Sequence, residues 1–524
     1  MRSVPSTVDS LFEQYGPAYK WLATATVMVG MLAVILSLTI VNVAIPDIMG
    51  SMGMQQTQAQ WLSTGFLASM TATLLANAWV VETFGQRTAS VWAMALFIAA
   101  SIVGGLAPDE TILILARIVQ GASAGIIQPL AMITVYQVFG AHERGKGMGI
   151  LGLGVILAPA TSPAIGGVLV DLFSWRAVFF IALPMAFVGM VLALFFLPER
   201  YNDERRRPFD LMGFLLLSAA IFAVLWGFSN GQRLGWESDP IMLALAGGGL
   251  ATVLFIAHQL RSASPLLNLR IFTVTGFVCG AAIAAVFGAA LYATTYLIPL
   301  FAQQVQGMTA TNAGLLLMPA GLVMAVLFPI SGVLSDRLSP RTPILAGLLV
   351  VTVSCALLAT ADVNTAFWLL AAWIIMGRVG FALIMPAVNA GSLSVLDPRQ
   401  LAQGSGALEF SRNLGGTFGV NLLSVTLDRR AAFHHQALNE ELRPDNAISQ
   451  TLFSRLGELF QQGGVPEAAH QLMAMEYLRS MVAMQAYTRG FQDSFLLLAV
   501  AGALALIPAW IIGRKRRRPP RNAP

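Results

Sequence analysis

Residues 271–335 read IFTVTGFVCGAAIAAVFGAALYATTYLIPLFAQQVQGMTATNAGLLLMPAGLVMAVLFPISGVLS, 65 residues without one Asp, Glu, Lys or Arg. A helix crosses the hydrocarbon of a bilayer in about 20 mostly apolar residues. The stretch is therefore read as two membrane spans, divided at the polar turn Gln303-Gln304-Val305-Gln306-Gly307. No water-facing surface can be built from it. The remainder agrees: 56% of the 524 residues are apolar and 11% are charged, against about 25% charged in an ordinary soluble domain. Mean hydropathy is +0.71. The expected fold class is an all-α polytopic membrane protein.

Outward from that stretch, apolar runs between charges or turn signals give fourteen spans, near residues 22–45, 61–81, 89–107, 112–137, 148–171, 177–197, 210–230, 241–260, 273–300, 312–334, 343–361, 366–390, 402–427 and 491–513. With the N-terminus inside, twenty of the 31 Lys and Arg fall in inside segments, including Arg205-Arg206-Arg207 and the basic tail 514–524. Short outside loops hold only Arg176 and Arg233. The positive-inside rule then places both termini in the cytoplasm. The pI near 9.5 is topology plus attraction to anionic lipid in the bilayer, and no nucleic-acid partner is expected. Residues 1–20 lack a signal-peptide pattern, so the first span should direct insertion.

One region breaks the pattern. The outer loop 428–492 carries thirteen charges in 65 residues. Leu452, Phe453, Leu456, Leu459 and Phe460 recur there at helical spacing, which predicts short amphipathic helices. The segment reads either as a solvated extension of its flanking helices or as a docking surface. His434, His435 and His470 lack metal-ligand spacing and read as surface residues, and no metal site is expected. Cys279 and Cys355 sit in apolar runs and read as small hydrophobes.

Two cytoplasmic turns resemble each other. Ala78-Trp-Val-Val-Glu82-Thr83-Phe84-Gly85-Gln86-Arg87 follows the second span, and Gly332-Val-Leu-Ser-Asp336-Arg337-Leu-Ser-Pro-Arg341 follows the tenth. Each sets an acid four residues after a small residue and a base at the turn's end, which suggests two related halves. Residues 1–198 then hold six spans, 199–270 two inserted spans, and 271–524 six more. A 6+2+6 plan with substrate between the halves is transporter architecture.

The chain resembles the major facilitator superfamily in its fourteen-span drug–proton antiporter branch (EmrB/QacA-like). Thr39-Ile-Val-Asn42-Val-Ala-Ile-Pro46 is similar to the branch's first-span signature, the turn at Glu82–Arg87 to its motif A, and Arg117-Ile-Val-Gln120-Gly121 to its motif B. Ala158-Pro159-Ala-Thr-Ser162-Pro163-Ala-Ile-Gly166-Gly167 is similar to the antiporter motif. The resemblance implies a major facilitator fold and proton-driven export of amphiphilic small molecules from the bacterial inner membrane, powered by the proton gradient with no cofactor. It also implies a partnership, in double-membrane cells, with a periplasmic adaptor and a TolC-type outer-membrane channel. The acid of the branch's first span falls at Ser37, which carries no proton, and Glu82-Thr83 stands where Asp-Arg is usual. These departures keep open a second reading, an exporter or facilitator of a lipid or metabolite without first-span proton coupling. No nucleophile triad, phosphate loop or soluble domain supports an enzyme.

Ionisable groups deep in a span cost about 2.5–3.5 kcal/mol each on insertion scales, so each needs a reason. Arg117, Arg378, Glu409 and Arg412 are the candidates for proton coupling or ion pairing. Arg117 reads either as a coupling residue or as a hydrogen-bonder to neighbouring carbonyls. Glu409 has two competing partners: Arg378, at a comparable depth, and Arg412, three residues on along the same face. With Ser37 neutral, Glu409 is expected to be the titrating carboxylate. Asn42, Trp61, Gln128, Tyr136, Tyr292, Tyr296, Gln303 and Asn389 are candidates for the substrate cavity, a set suited to a bulky amphiphile. Glu82, Arg87, Asp336, Arg337 and Arg341 are candidates for a conformational latch. Pro159, Pro163, Gly166 and Gly167 should give a kinked, closely packed fifth span.

Overall fold

A computed structural model describes residues 7–139, 161–199, 208–262, 264–396, 401–441 and 467–512, together with 151, 158, 454, 455, 458 and 462. Helices account for nearly all of it. They are α1 (Tyr19–Met52), α2 (Trp61–Phe84), α3 (Gln86–Gly105) and α4 (Glu110–Val138); α5 (Thr161–Leu172); and α6 (Leu183–Phe196), α7 (Leu211–Leu234), α8 (Asp239–Arg261), α9 (Thr275–Gln304), α10 (Ala310–Arg337), α11 (Arg341–Leu358), α12 (Phe367–Leu393), α13 (Leu401–Glu441) and α14 (Glu467–Ile511). Among the described residues eleven helices are long and apolar enough to cross a membrane. The expected runs at 61–81 and 402–427 are also met by helix, in α2 and α13; of the run at 148–171, α5 covers 161–171, and most of 148–160 lies outside the described residues.

The helix ends follow local chemistry. Asp109 caps α4 by accepting from the Ile112 amide at 2.9 Å, and Thr309 caps α10 by accepting from Asn312 at 3.3 Å. Such side chains satisfy amides that the first turn leaves unpaired. The polar turn after α9 is present as read, and it closes through Gly307 at φ 64°, a left-handed conformation open to glycine without strain. Large apolar side chains such as Leu243, Leu250 and Val253 on α8 point outward, as they must on a lipid-facing wall.

Packing sorts the helices. Among α1–α6, α2 packs most heavily on α4; among α9–α14, α9 packs on α13 and α11 on α12; α7 pairs with α8. The α7–α8 pair is tied by Asp210, whose carboxylate accepts from Gly213 N (2.9 Å), His258 Nε2 (2.6 Å) and Gln259 Nε2 (2.8 Å).

The segment 428–492 is largely helical extension of its neighbours. The 41 residues of α13 and the 45 of α14 span roughly 60 Å each at 1.5 Å per residue, about twice the hydrocarbon thickness. Their shared base is pinned by Asp493, which accepts from Arg430 Nε at 2.5 Å and His434 Nε2 at 2.8 Å. His434 is thus an interhelical bonding residue, correcting its reading as a surface histidine. Leu452, Phe453, Leu456, Leu459 and Phe460 lie outside the described residues, as do Arg205-Arg206-Arg207 and the tail.

At the end of the bundle away from the termini, α1–α6 and α9–α14 meet closely. A Cβ on Gly167 would run into the Ala310 carbonyl and Thr311 Cα, and one on Gly314 into the Pro163 carbonyl. Asp171 beside them accepts from Thr311 N at 3.0 Å and from its hydroxyl. Gln303 Nε2 donates to the Val43 carbonyl at 3.2 Å, and Gln56 Nε2 to the Tyr296 hydroxyl at 2.8 Å. This seam is backbone against backbone, so it cannot absorb a side chain. Gly167→Val should force it apart. Cysteines placed on the cavity wall just inside it should then react faster with a membrane-impermeant thiol reagent than in the parent, while an unchanged rate would show the seam to be compliant.

Candidate functional site

The buried charges define the site. Arg117 on α4 is fully buried. Its Nε donates to the Leu62 carbonyl at 2.8 Å, and its Nη1 to Gln120 Oε1 at 2.9 Å, to the Ser37 carbonyl at 3.2 Å and to Ser37 Oγ at 3.3 Å. The guanidinium also lies 4.4 Å from the Phe66 ring centroid. Of the two readings of Arg117, the geometry builds the second: it ties α1, α2 and α4 through carbonyls and a ring face. Gln120, one turn on, passes the connection to Ser101 on α3 at 2.7 Å. Gln120 had not been singled out as a site residue, although its i+3 spacing from Arg117 puts both on one helical face.

Arg378 and Glu409 do not pair. Arg378 Nη2 donates to Thr295 Oγ1 at 2.9 Å, so α12 spends this charge on α9. Glu409 takes the nearer alternative, an ion pair with Arg412 one turn along α13. The same oxygen, Oε1, also accepts from Gln128 Nε2 on α4 at 2.9 Å. Glu409 and Arg412 form part of the wall of a small, half-open cleft lined by Phe287, Ile384, Met385, Val388, Asn389 and Leu408, among others. Apolar walls around a few convergent polar groups are what an amphiphile requires. The apolar lining had no individual signal in the sequence, where such residues look like any other helix-packing positions.

The remaining candidates fall in several places. Asn389 lines the cleft, and Tyr292 stands beside it, donating to Asn413 Oδ1 at 3.2 Å. Tyr296 and Gln303 belong instead to the distant seam. Asn42 accepts from Ser63 at 2.5 Å between α1 and α2. Trp61 turns away from the cleft, donating to Ser229 on α7 at 2.9 Å and stacking on Phe222; the inserted pair claims the indole because it offers a hydroxyl and a ring. The side chain of Tyr136 lies outside the described residues. So do those of Asp336 and Arg337, and Pro159 altogether.

Pro163, Gly166 and Gly167 fall on α5. A Cβ on Gly166 would meet Ile40 of α1, and Gly167 and the Pro163 carbonyl form the seam. Of the turn residues, Glu82 is exposed. Arg87 donates to the Leu197 carbonyl at 2.9 Å and pairs with Glu199. Arg341 lies 3.4 Å from the Trp510 ring centroid.

With buried charges on facing helices, a cleft between helices and a seam closing one end in place, the sequence itself matches a family model described as Major Facilitator Superfamily over residues 27–420. The chain belongs to the Major Facilitator Superfamily. Within that superfamily it is 29% identical over 485 residues to the uncharacterized MFS-type transporter YhcA of Bacillus subtilis, covering 92% of this chain and 91% of the relative. It is 27% identical over 490 residues to the multidrug resistance protein Stp of Mycobacterium tuberculosis, covering 92% and 90%. Among solved structures, a bacterial homologue of the human lysosomal transporter Spinster shares the fold, with a TM-score of 0.62 at 17% identity over 95% of this chain and 97% of that one.

The Arg117 cluster makes a direct prediction for this superfamily member. Arg117→Met removes charge-assisted bonds to two helix carbonyls and to Gln120 and should lower stability by roughly 2–3 kcal/mol, the worth of charge-assisted bonds. Ser37→Asp should hold or raise the melting temperature by supplying a counter-charge. Melting curves of the detergent-solubilised protein test both, and a lower melting temperature for Ser37→Asp would show that Arg117 needs no carboxylate.

Proposed function

We propose that this transporter is a secondary active exporter of amphiphilic organic compounds that exchanges them for protons by alternating access. It needs no cofactor beyond the proton gradient. Fourteen spans are proposed, in a 6+2+6 plan of the EmrB/QacA-like branch, with both termini cytoplasmic in a bacterial inner membrane. One observation carries the reading. Glu409, a carboxylate deep in the helical bundle, lies on the wall of an apolar cleft while holding both Arg412 on its own helix and Gln128 across the bundle. A charge there is costly unless paired, and a proton that neutralises it changes which contacts the two sets of helices can make. The relative named as a multidrug resistance protein supports the same direction of transport. In a double-membrane cell, the projecting ends of α13 and α14 are the surface an adaptor leading to a TolC-type channel would use.

Glu409→Gln should abolish accumulation driven by an imposed pH gradient in proteoliposomes and leave downhill substrate exchange intact. Retained proton-driven accumulation would instead favour the second reading, an uncoupled lipid or metabolite carrier, which Ser37 motivates.

The seam closes the end away from the termini, and Arg87 is spent on Leu197 and Glu199 of its own half. The turns at Glu82–Arg87 and Asp336–Arg341 are then latches that engage when the bundle tilts the other way. Asp336→Asn should impair transport more than Glu82→Gln, because Arg337 brings a charge where Thr83 has none. The reverse order in a susceptibility assay at matched expression would reduce the turns to topological anchors.

A further inference from the structure

The cross-connections between α1–α6 and α9–α14 do not lie at one depth. Gln56–Tyr296, Gln303–Val43 and Asp171–Thr311 sit at the seam, away from the termini. Gln128–Glu409 is different. Gln128 lies eighteen residues from the start of α4 and Glu409 eight from the start of α13, roughly 27 Å and 12 Å along helices that run in opposite senses. Of the connections named, it is the one nearest the termini.

Its chemistry depends on a charge. The Gln128 amide gives its N–H to Glu409 and leaves its own Oε1 buried without a partner. The N–H bond is charge-assisted while Glu409 is a carboxylate. Among the described residues, the titratable groups facing Glu409 are Arg412 from its own helix and Tyr292 from α9; α12 contributes Met385 and Asn389 to the same cleft, and α4 the neutral Gln128.

We propose that the Gln128–Glu409 bond is a proton-operated tie between the two sets of helices at the end of the cavity nearest the termini, with Gln128 as the positioning residue. This deepens the exporter reading and rests on Glu409 being the titrating group. When Glu409 takes a proton, its charge-assisted bonds to Gln128 and Arg412 become weaker neutral ones. The tie loosens and the cavity opens toward the termini, where the proton leaves and substrate enters. Loss of the proton restores the tie. Proton release and substrate exit are thereby assigned to opposite tilts of the bundle, as exchange requires.

The test uses full-length protein in proteoliposomes, with Cys279 and Cys355 replaced and one cysteine placed on the termini-side wall of the cavity. In the parent, thiol labelling should rise as buffer goes from mildly alkaline to mildly acid. In Gln128→Met, a substitution close in volume, labelling in alkaline buffer should rise about tenfold, the factor that corresponds to about 1.4 kcal/mol, and become independent of pH. Gln128→Glu should reverse the profile: two adjacent carboxylates share a proton in acid and repel in alkali. A merely structural glutamine would produce no reversal. If Gln128→Met and Gln128→Glu both keep the parent's pH response while Glu409→Gln is flat, the tie is overturned and the exporter reading stands. If Glu409→Gln also keeps that response, Glu409 is not the titrating group and both fall together.

Discussion

Arg117 carries a guanidinium that is fully buried within the bundle. The low dielectric around it makes an unpaired charge costly and a well-donated one strong. The Leu62 and Ser37 carbonyls, the Gln120 amide and the Phe66 ring converge on it, leaving Nη2 without a partner among the described residues, and three helices are held by one buried charge. Glu409 faces the same constraint with a different outcome. Its partners are another ionised side chain and an amide, at the wall of a cleft. The first arrangement joins helices through carbonyls and a ring face, and the second joins them through an ion pair and an amide beside open space.

Close backbone approach is the complementary requirement. In lipid there is little hydrophobic force between helices, so association depends on dispersion and on small residues that let backbones meet. Gly167, Gly314 and Gly415 each lack room for a Cβ because another helix's backbone lies against them. Contacts of that kind are either made or broken and cannot stretch. Two sets of helices joined through such a seam should move as bodies and not bend.

The sequence made the class and the helix positions legible because both rest on composition and length, which lipid constrains strongly. The turn at Gly307 and the i+3 partnership of Glu409 with Arg412 were readable for the same reason: they depend on local spacing. Partnerships across the bundle were not. Depth alone allowed Arg378 to reach Glu409, but Thr295 lies closer in space and claims it. Trp61 had the character of a cavity residue until Ser229 and Phe222 of α7 were seen to take it. Gln128 was named only as a cavity residue, since nothing in its spacing identifies a partner 281 positions along the chain.

Ser37 connects these observations. A carboxylate at that position would have faced Arg117 directly, giving α1–α4 a titratable pair of its own. With serine there, Arg117 faces a hydroxyl, and the ion pair of Glu409 with Arg412 lies on α13. The two sets of helices resemble each other in their turns and their glycine packing, yet they are unequal electrostatically. The first set buries Arg117 among carbonyls; the second buries Arg378 against Thr295 and adds the ion pair of Glu409 with Arg412. Glu409 reaches the first set through Gln128, so under the proposed exchange a change of charge at Glu409 would bear on both sets of helices, although Ser37 leaves α1 without a carboxylate at that position.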